Sequence, residues 1–168
     1  MKKLFFFFAL LGCALVAAVS CKDSGLDLDK LRAEELARLN EYIEANGITT
    51  EPTESGLYYI EHVEGTGDSL IKVGDRVKIF YSGMTIDSAY SAGSTGDFEP
   101  YDVIVGSSDV ITGLSEGLTH MRQGGEATLI IPSNLAYGAT TSSGLPRFST
   151  LIFDVEVYKH YRLDNTSN

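Results

Sequence analysis

The sequence predicts an α+β fold: an antiparallel β-sheet wrapped around one short α-helix, with an amphipathic helix N-terminal to it. Three observations point there. At 168 residues and 43% hydrophobic content, the chain can form one ordinary core with short appendages, which excludes a large multi-domain enzyme. Apolar runs of strand length recur between turn signals, and several alternate inward and outward residues. Only one stretch among those runs has helical spacing, so the strands are joined as hairpins rather than as parallel βαβ units.

The first twenty residues stand apart from the fold. Lys2 and Lys3 precede the apolar run LFFFFALLGCALVAAV, and small residues then lead into Cys21, the pattern of a processing segment. AVSC, residues 18–21, resembles a bacterial lipobox, in which small residues suit the signal peptidase and the cysteine thiol takes a diacylglycerol. A second candidate, LLGC, ends at Cys13, but apolar residues continue beyond it. The competing reading is a retained transmembrane helix, because roughly 17 to 25 apolar residues span a bilayer.

Cleavage before Cys21 leaves one cysteine, and that one carries lipid, so no intramolecular disulfide is expected. Losing Lys2 and Lys3 also leaves 11 of the 13 basic residues against 23 acidic ones, a net charge of about -12. Such a surface repels nucleic acid and anionic headgroups, so membrane attachment is assigned to lipid rather than to a basic patch. The expected location is the bacterial cell envelope, anchored to a membrane (the outer membrane first), with a soluble domain in the periplasm or at the surface.

Residues 21–28 form a polar, acidic tether, and residues 29–47 a helix. Leu28, Leu31, Leu36, Leu39, Tyr42 and Ile43 fall within one stripe at 100° per residue, while Arg32, Glu34, Glu41 and Glu44 largely avoid it. Asp27 and Asp29 are candidate caps, and Gly47 suits the position just past the end. The stripe has two readings, packing on the following domain or a homodimer contact. ITTEPTESG then supplies a polar linker, assigned to residues 48–55.

A β-rich domain is assigned to residues 56–160, with a polar tail at 161–168. LYYIEHV is a short apolar strand, and Gly74-Asp75 a turn signal. In RVKIFYS, Val77, Ile79 and Tyr81 lie on one face, with Arg76, Lys78 and Ser82 on the other. YDVIV and ATLII are further strands. In LIFDVEVY, Leu151, Phe153, Val155 and Val157 point inward, while Asp154 and Glu156 point outward. Between the third and fourth strands, Ile111, Leu114, Leu118 and Met121 recur at helical spacing and mark one short helix against the sheet.

Polar chemistry finds little footing. GLSEG, residues 113–117, matches the G-x-S-x-G pattern of serine hydrolases, but that elbow needs a strand running into the serine and an Asp and a His after it. Ser115 falls inside the predicted helix, and about fifty residues remain. His62, His120 and His160 are scattered, with no i,i+4 pair and no free cysteine beside them, so no metal is expected; each reads as a surface or strand-end residue. No phosphate-binding loop and no other cofactor motif is found, since QGGE is a turn before a strand. What remains is aromatic. Tyr81, Tyr101, Tyr137 and Phe153 lie at strand ends or beside loops, and read either as core or as the lining of one concavity.

Taken in order, VGDRVKIFYSGM, EPYDVIVGSSDVITGLSEGLTHMRQGGEATLIIP, NLAYGA and GLPRFSTLIFDVEV resemble the FKBP-type peptidyl-prolyl cis/trans isomerases, from about residue 56 to 159. The resemblance implies an FKBP-like antiparallel sheet around a short helix, isomerase activity on proline-containing polypeptide clients, and no cofactor. Position by position it implies that Tyr81 is a pocket tyrosine and Tyr101 the aromatic after a proline. Asp109, Val110 and Ile111 match a segment whose Ile N–H binds the substrate carbonyl. Leu114 takes the pocket floor, usually a tryptophan. Tyr137 and Leu145 belong to a flap, and Phe153 to the wall. Ile86 and Asp87 are placed on the family's Phe-Asp pair; an alternative alignment puts Tyr90 and Ser91 there and loses the carboxylate.

Overall fold

A computed structural model describes residues 27–89, 91–93, 99–142 and 144–162. The signal-like segment, Cys21, most of the tether, Tyr90 and most of the tail lie outside these residues. The chain runs α1 (Leu28–Ala45), β1 (Tyr58–Val63), β2 (Arg76–Thr85), β3 (Ser91–Gly93), β4 (Tyr101–Ile104), α2 (Thr112–Thr119), β5 (Glu126–Ile131), a 3-10 turn (Ser133–Leu135) and β6 (Leu151–Tyr161).

The six strands form one antiparallel sheet ordered β1-β5-β6-β2-β3. β4 pairs with the first half of β2, while β3 pairs with the second half. β6 lies between β5 and β2, and its alternation sorts the faces as expected. Val155 and Val157 are buried inward, while Asp154 and Glu156 are exposed on the outer face.

On the inner face, α2 sets Leu114 and Leu118 in one core with Val77, Ile79, Leu129, Ile131, Val155 and Val157. Full burial of each such side chain stabilises by roughly 1.5–3 kcal/mol. Two glycines let the helix come this close. A Cβ at Gly113 would stand 2.3 Å from Ile131 Cγ2, and one at Gly117 2.5 Å from Leu129 Cδ1. The glycines of GLSEG are therefore packing residues. Ser115 between them is buried, and its hydroxyl accepts the Gly106 N–H at 3.0 Å, closing the loop before α2.

α1 covers part of the outer face. Asp27 caps it by accepting the Lys30 N–H at 3.0 Å. At the far end Gly47 takes φ +60°, and paired bonds from Gly47 N–H to Glu44 O and from Ile48 N–H to Ile43 O close the last turn. Leu39, with Tyr42, Ile43 and Ile48, packs on Ile130, Ile152, Tyr58, Ile60 and Met84. The helix thus docks on the domain that follows it.

The predicted stripe needs one correction. Leu28 and Leu36 are each 41% exposed, and the centre of the inward face is held by Glu35, only 1% exposed. The segment after α1 is also tied down, because the Thr53 and Ser55 hydroxyls donate to the Glu116 carboxylate on α2 at 2.7–2.8 Å.

Candidate active site

β2 and β6 are in register at Gly83 and Phe153, and β3 sets Ala92 on the other side of Gly83. Gly83 has no side chain to fill its place on the inner face, so the Phe153 ring lies there: a Cβ at 83 would be 2.6 Å from Phe153 Cε1. Tyr81, two residues back on the same face, stacks on Phe153 with centroids 5.5 Å apart and planes at 23°. Tyr101 from β4 meets Tyr81 at 5.7 Å and 57°. The result is a continuous wall of three rings.

The opposite wall comes from residues 132–150. This excursion leaves β5 through the 3-10 turn and returns to β6. Ala136 and Gly138 donate their N–H groups to Ser133 O at 3.0 and 2.8 Å, and Phe148 N–H returns to Gly138 O at 2.8 Å. Leu145 N–H closes a turn on Ser142 O at 2.7 Å, and the Arg147 guanidinium donates to Ala139 O. These bonds hold Tyr137, 41% exposed, at the rim and bury Leu145 against the core. The described residues of the Thr/Ser/Gly run thus belong to a hydrogen-bonded flap.

Together Tyr81, Gly83, Met84, Ala92, Tyr137, Leu145, Leu151 and Phe153 line a cleft of about 180 Å³. A larger hollow of about 340 Å³ lies on the outer face, lined by His62, Phe80, Ser82, Glu126, Asp154 and Glu156 among others. The smaller cleft suits an apolar ring better, since its lining carries no charged side chain among the described residues.

The structure thus gathers Tyr81, Tyr137, Leu145 and Phe153 around one cleft, with Tyr101 beside Tyr81. Val110 and Ile111 pack against the same core as Tyr81 and Phe153. Ile111 begins α2 in extended conformation, and its N–H has no acceptor among the described residues, whereas its carbonyl accepts from Leu114 and Ser115. Asp109 is exposed beside it. Leu114, expected as the pocket floor, is 4% exposed, belongs to the core and is not among the residues that line the cleft.

Ile86 and Asp87 are not brought to the cleft. Ile86 packs on the outer-face cluster with Leu39 and Ile130. Asp87 sits in the turn after β2, where Ser88 adopts φ +57°. Its Oδ1 accepts the Thr85 hydroxyl at 2.6 Å and the Ala89 N–H at 3.1 Å. Those two bonds, in that order, hold its carboxyl below the usual value, and the Arg38 charge adds to them. The physical reason is register: β2 runs to Thr85, so the next two residues must turn, and Ala92 from β3 lines the cleft instead.

Four lining residues are not among the site residues expected from the sequence, namely Gly83, Met84, Ala92 and Leu151. A glycine two residues after a pocket tyrosine, in mid-strand, is the signal that would have found the first. His160 takes the strand-end place expected of it, next to last in β6, with its side chain 9% exposed and Nε2 2.7 Å from Asp75 Oδ2. His62 Nε2 lies 2.8 Å from the Thr128 hydroxyl on the outer face.

The sequence pattern of the FKBP-type peptidyl-prolyl cis-trans isomerases matches residues 67–158. FkpA of Buchnera aphidicola from Acyrthosiphon pisum is 38% identical over 110 residues, covering 62% of this chain and 42% of that protein. The FK506-binding protein of Neisseria meningitidis serogroup B is 35% identical over 107 residues, 63% of this chain and 97% of that one. The crystal structure of FkpA from Escherichia coli superposes with a TM-score of 0.69 at 33% identity, over 80% of this chain and 62% of that one. The match with the Buchnera protein spans less than half of that relative's length, while the Neisseria protein is matched almost end to end.

Proposed function

Because the chain belongs to the FKBP-type peptidyl-prolyl cis-trans isomerase family, we propose that it catalyses rotation about Xaa-Pro bonds of exported polypeptides in the cleft between the Tyr81–Phe153 wall and the flap. The observation that carries this reading is the cleft itself, apolar, ring-lined and without a charged group in its lining among the described residues.

No covalent bond breaks in this reaction. Twisting the imide destroys C–N resonance, which sets a barrier of about 20 kcal/mol and uncatalysed exchange times of roughly tens to hundreds of seconds. The twisted carbonyl is less polarised than the planar one and loses less on leaving water. An apolar wall that takes the proline ring therefore favours the twisted form over the planar form. Phe153 and Tyr81 supply that wall, Leu145 closes it from the flap, and the Tyr137 hydroxyl at the rim offers a polar contact. The Ile111 N–H, which has no acceptor among the described residues, is the donor for the substrate carbonyl, and it stands at the N-terminus of α2, where the helix dipole adds positive character. Acceleration of cis-to-trans exchange in a short Xaa-Pro peptide tests the proposal.

A second reading is a binding module or chaperone of the same fold with little turnover. It is favoured by Leu114, which offers a proline ring less flat surface than an indole, and by the seating of Asp87 in a turn, away from the cleft. On this reading Leu114→Trp raises turnover while client binding persists.

Location and assembly form part of the proposal. The lipobox-like AVSC supports cleavage before Cys21 and lipid attachment there, which would hold the domain at a membrane of the cell envelope. The exposed Leu28 and Leu36 on α1 support a homodimer contact through that helix.

A further inference from the structure

One buried charged group takes no part in the chemistry just described. Glu35 lies at the centre of the inward face of α1, and four hydrogen bonds converge on it. Its Oε1 accepts the Ser133 N–H at 2.7 Å and the Thr150 hydroxyl at 3.0 Å. Its Oε2 accepts the Ser133 hydroxyl at 2.7 Å and Arg32 Nη1 at 2.5 Å. Arg32 also donates to Ser133 Oγ at 2.7 Å and to Asn134 Oδ1 at 2.9 Å.

Ser133 and Thr150 are the two stems of the flap. The Ser133 carbonyl holds Ala136 and Gly138, the residues on either side of Tyr137. Thr150 directly precedes Leu151, which lines the cleft, and its carbonyl accepts the Ile86 N–H at 3.2 Å. One carboxylate on α1 thus grips both ends of the wall that faces Phe153. Docking the helix does not require this, because Leu39, Tyr42 and Ile43 already supply an apolar contact. A buried carboxylate loses its hydration, and a contact made apolar on both sides would dock the helix without that cost. What a carboxylate adds, with donors from two separate chain segments, is a fixed spacing between them.

We propose that Glu35 is a positioning residue: by bridging Ser133 and Thr150 it sets the height of Tyr137 and Leu145 over the aromatic wall, which makes α1 part of the frame of the site. The effect on catalysis rests on the isomerase reading above; the effect on the flap does not.

The test compares the parent with Glu35→Leu, Glu35→Gln and Leu39→Ala, each in the full chain and well below its melting temperature. Hydrogen exchange at the Gly138 and Leu145 amides is read beside kcat and KM for an Xaa-Pro peptide. The leucine removes all four bonds, whereas the glutamine keeps the Oε1 acceptor and loses the ion pair with Arg32; the glutamine variant decides the question if the leucine variant does not fold. Flap amides are expected to exchange at least about tenfold faster in Glu35→Leu and by a smaller factor in Glu35→Gln, with Leu129 and Val155 amides unchanged. The catalytic loss should follow the same order. Leu39→Ala weakens the apolar docking of α1 without touching the stems, and should leave flap exchange and kcat/KM at parental values. Parental flap exchange in folded Glu35 variants overturns the proposal, as does equal loosening of the flap by Leu39→Ala. A parent without turnover would overturn the isomerase reading alone, since the exchange comparison still decides the clamp.

Discussion

Gly83 and Phe153 face each other across β2 and β6, and the phenyl ring occupies the space a side chain at 83 would need. This absence of a Cβ lets Phe153 lie flat enough to stack on Tyr81. Gly83→Ala should push the ring toward the flap, costing about 1–3 kcal/mol of stability and lowering kcat/KM on the order of tenfold to a hundredfold. Thermal melting and peptide kinetics on the same sample check both numbers. Unchanged kinetics would show that the ring position does not matter.

Asp87 provides the pH dependence. Its carboxyl is held below the ordinary value near 3.8 by Thr85 and Ala89. A depressed folded value means that the stabilisation is fully present above the unfolded value and is lost as pH falls through the folded one. Asp87→Asn should therefore melt slightly below the parent at pH 7, with the gap closing as the solution is acidified beneath that value. The gap should be small because the residue is exposed. It should leave kcat/KM almost unaltered, since the side chain is not in the cleft. Melting curves from pH 7 downward, with kinetics at pH 7, test both halves.

How far the sequence alone reveals this arrangement depends on which force decides each position. Alternation along RVKIFYS and LIFDVEVY placed Tyr81 and Phe153 on the inner face, because a strand buried on one side must alternate. Tyr137 and Leu145 were legible through the resemblance of their flanking motifs. Ile86 and Asp87 were misplaced because the turn position in an irregular hairpin is decided by how far β2 stays paired with β6, which residue spacing does not reveal. Glu35 was overlooked for a different reason. A carboxylate in the middle of an apolar helix stripe looks like an interruption, and only Ser133 and Thr150, about a hundred residues later in the chain, make its burial affordable.

Ser115 separates packing from catalysis in the GLSEG motif. Its hydroxyl accepts the Gly106 N–H inside the fold. Ser115→Ala should cost about 1–3 kcal/mol, the loss of a partner for a part-buried donor, with peptide isomerisation nearly unaffected. Denaturant unfolding measures the first quantity. A collapse of turnover in a folded Ser115→Ala protein would mean that the serine takes part in the reaction.

The lipid attachment proposed at Cys21 is tested by removing the thiol. Cys21→Ala should remove the lipid attachment site and shift the protein from the membrane pellet to the soluble fraction of expressing cells. Continued retention in the pellet would point to the apolar run of residues 4–19 as an uncleaved anchor.

The central claim is that the ring-lined cleft turns Xaa-Pro bonds, and cis-to-trans exchange of a short Xaa-Pro peptide measures it most directly. The exchange rate should rise in proportion to protein concentration. It should fall sharply in Tyr137→Ala, at an exposed site where folding is not at risk, and in Phe153→Ala provided that variant remains folded. An exchange rate equal to that of buffer at every protein concentration would contradict the claim and leave the binding-module reading in its place.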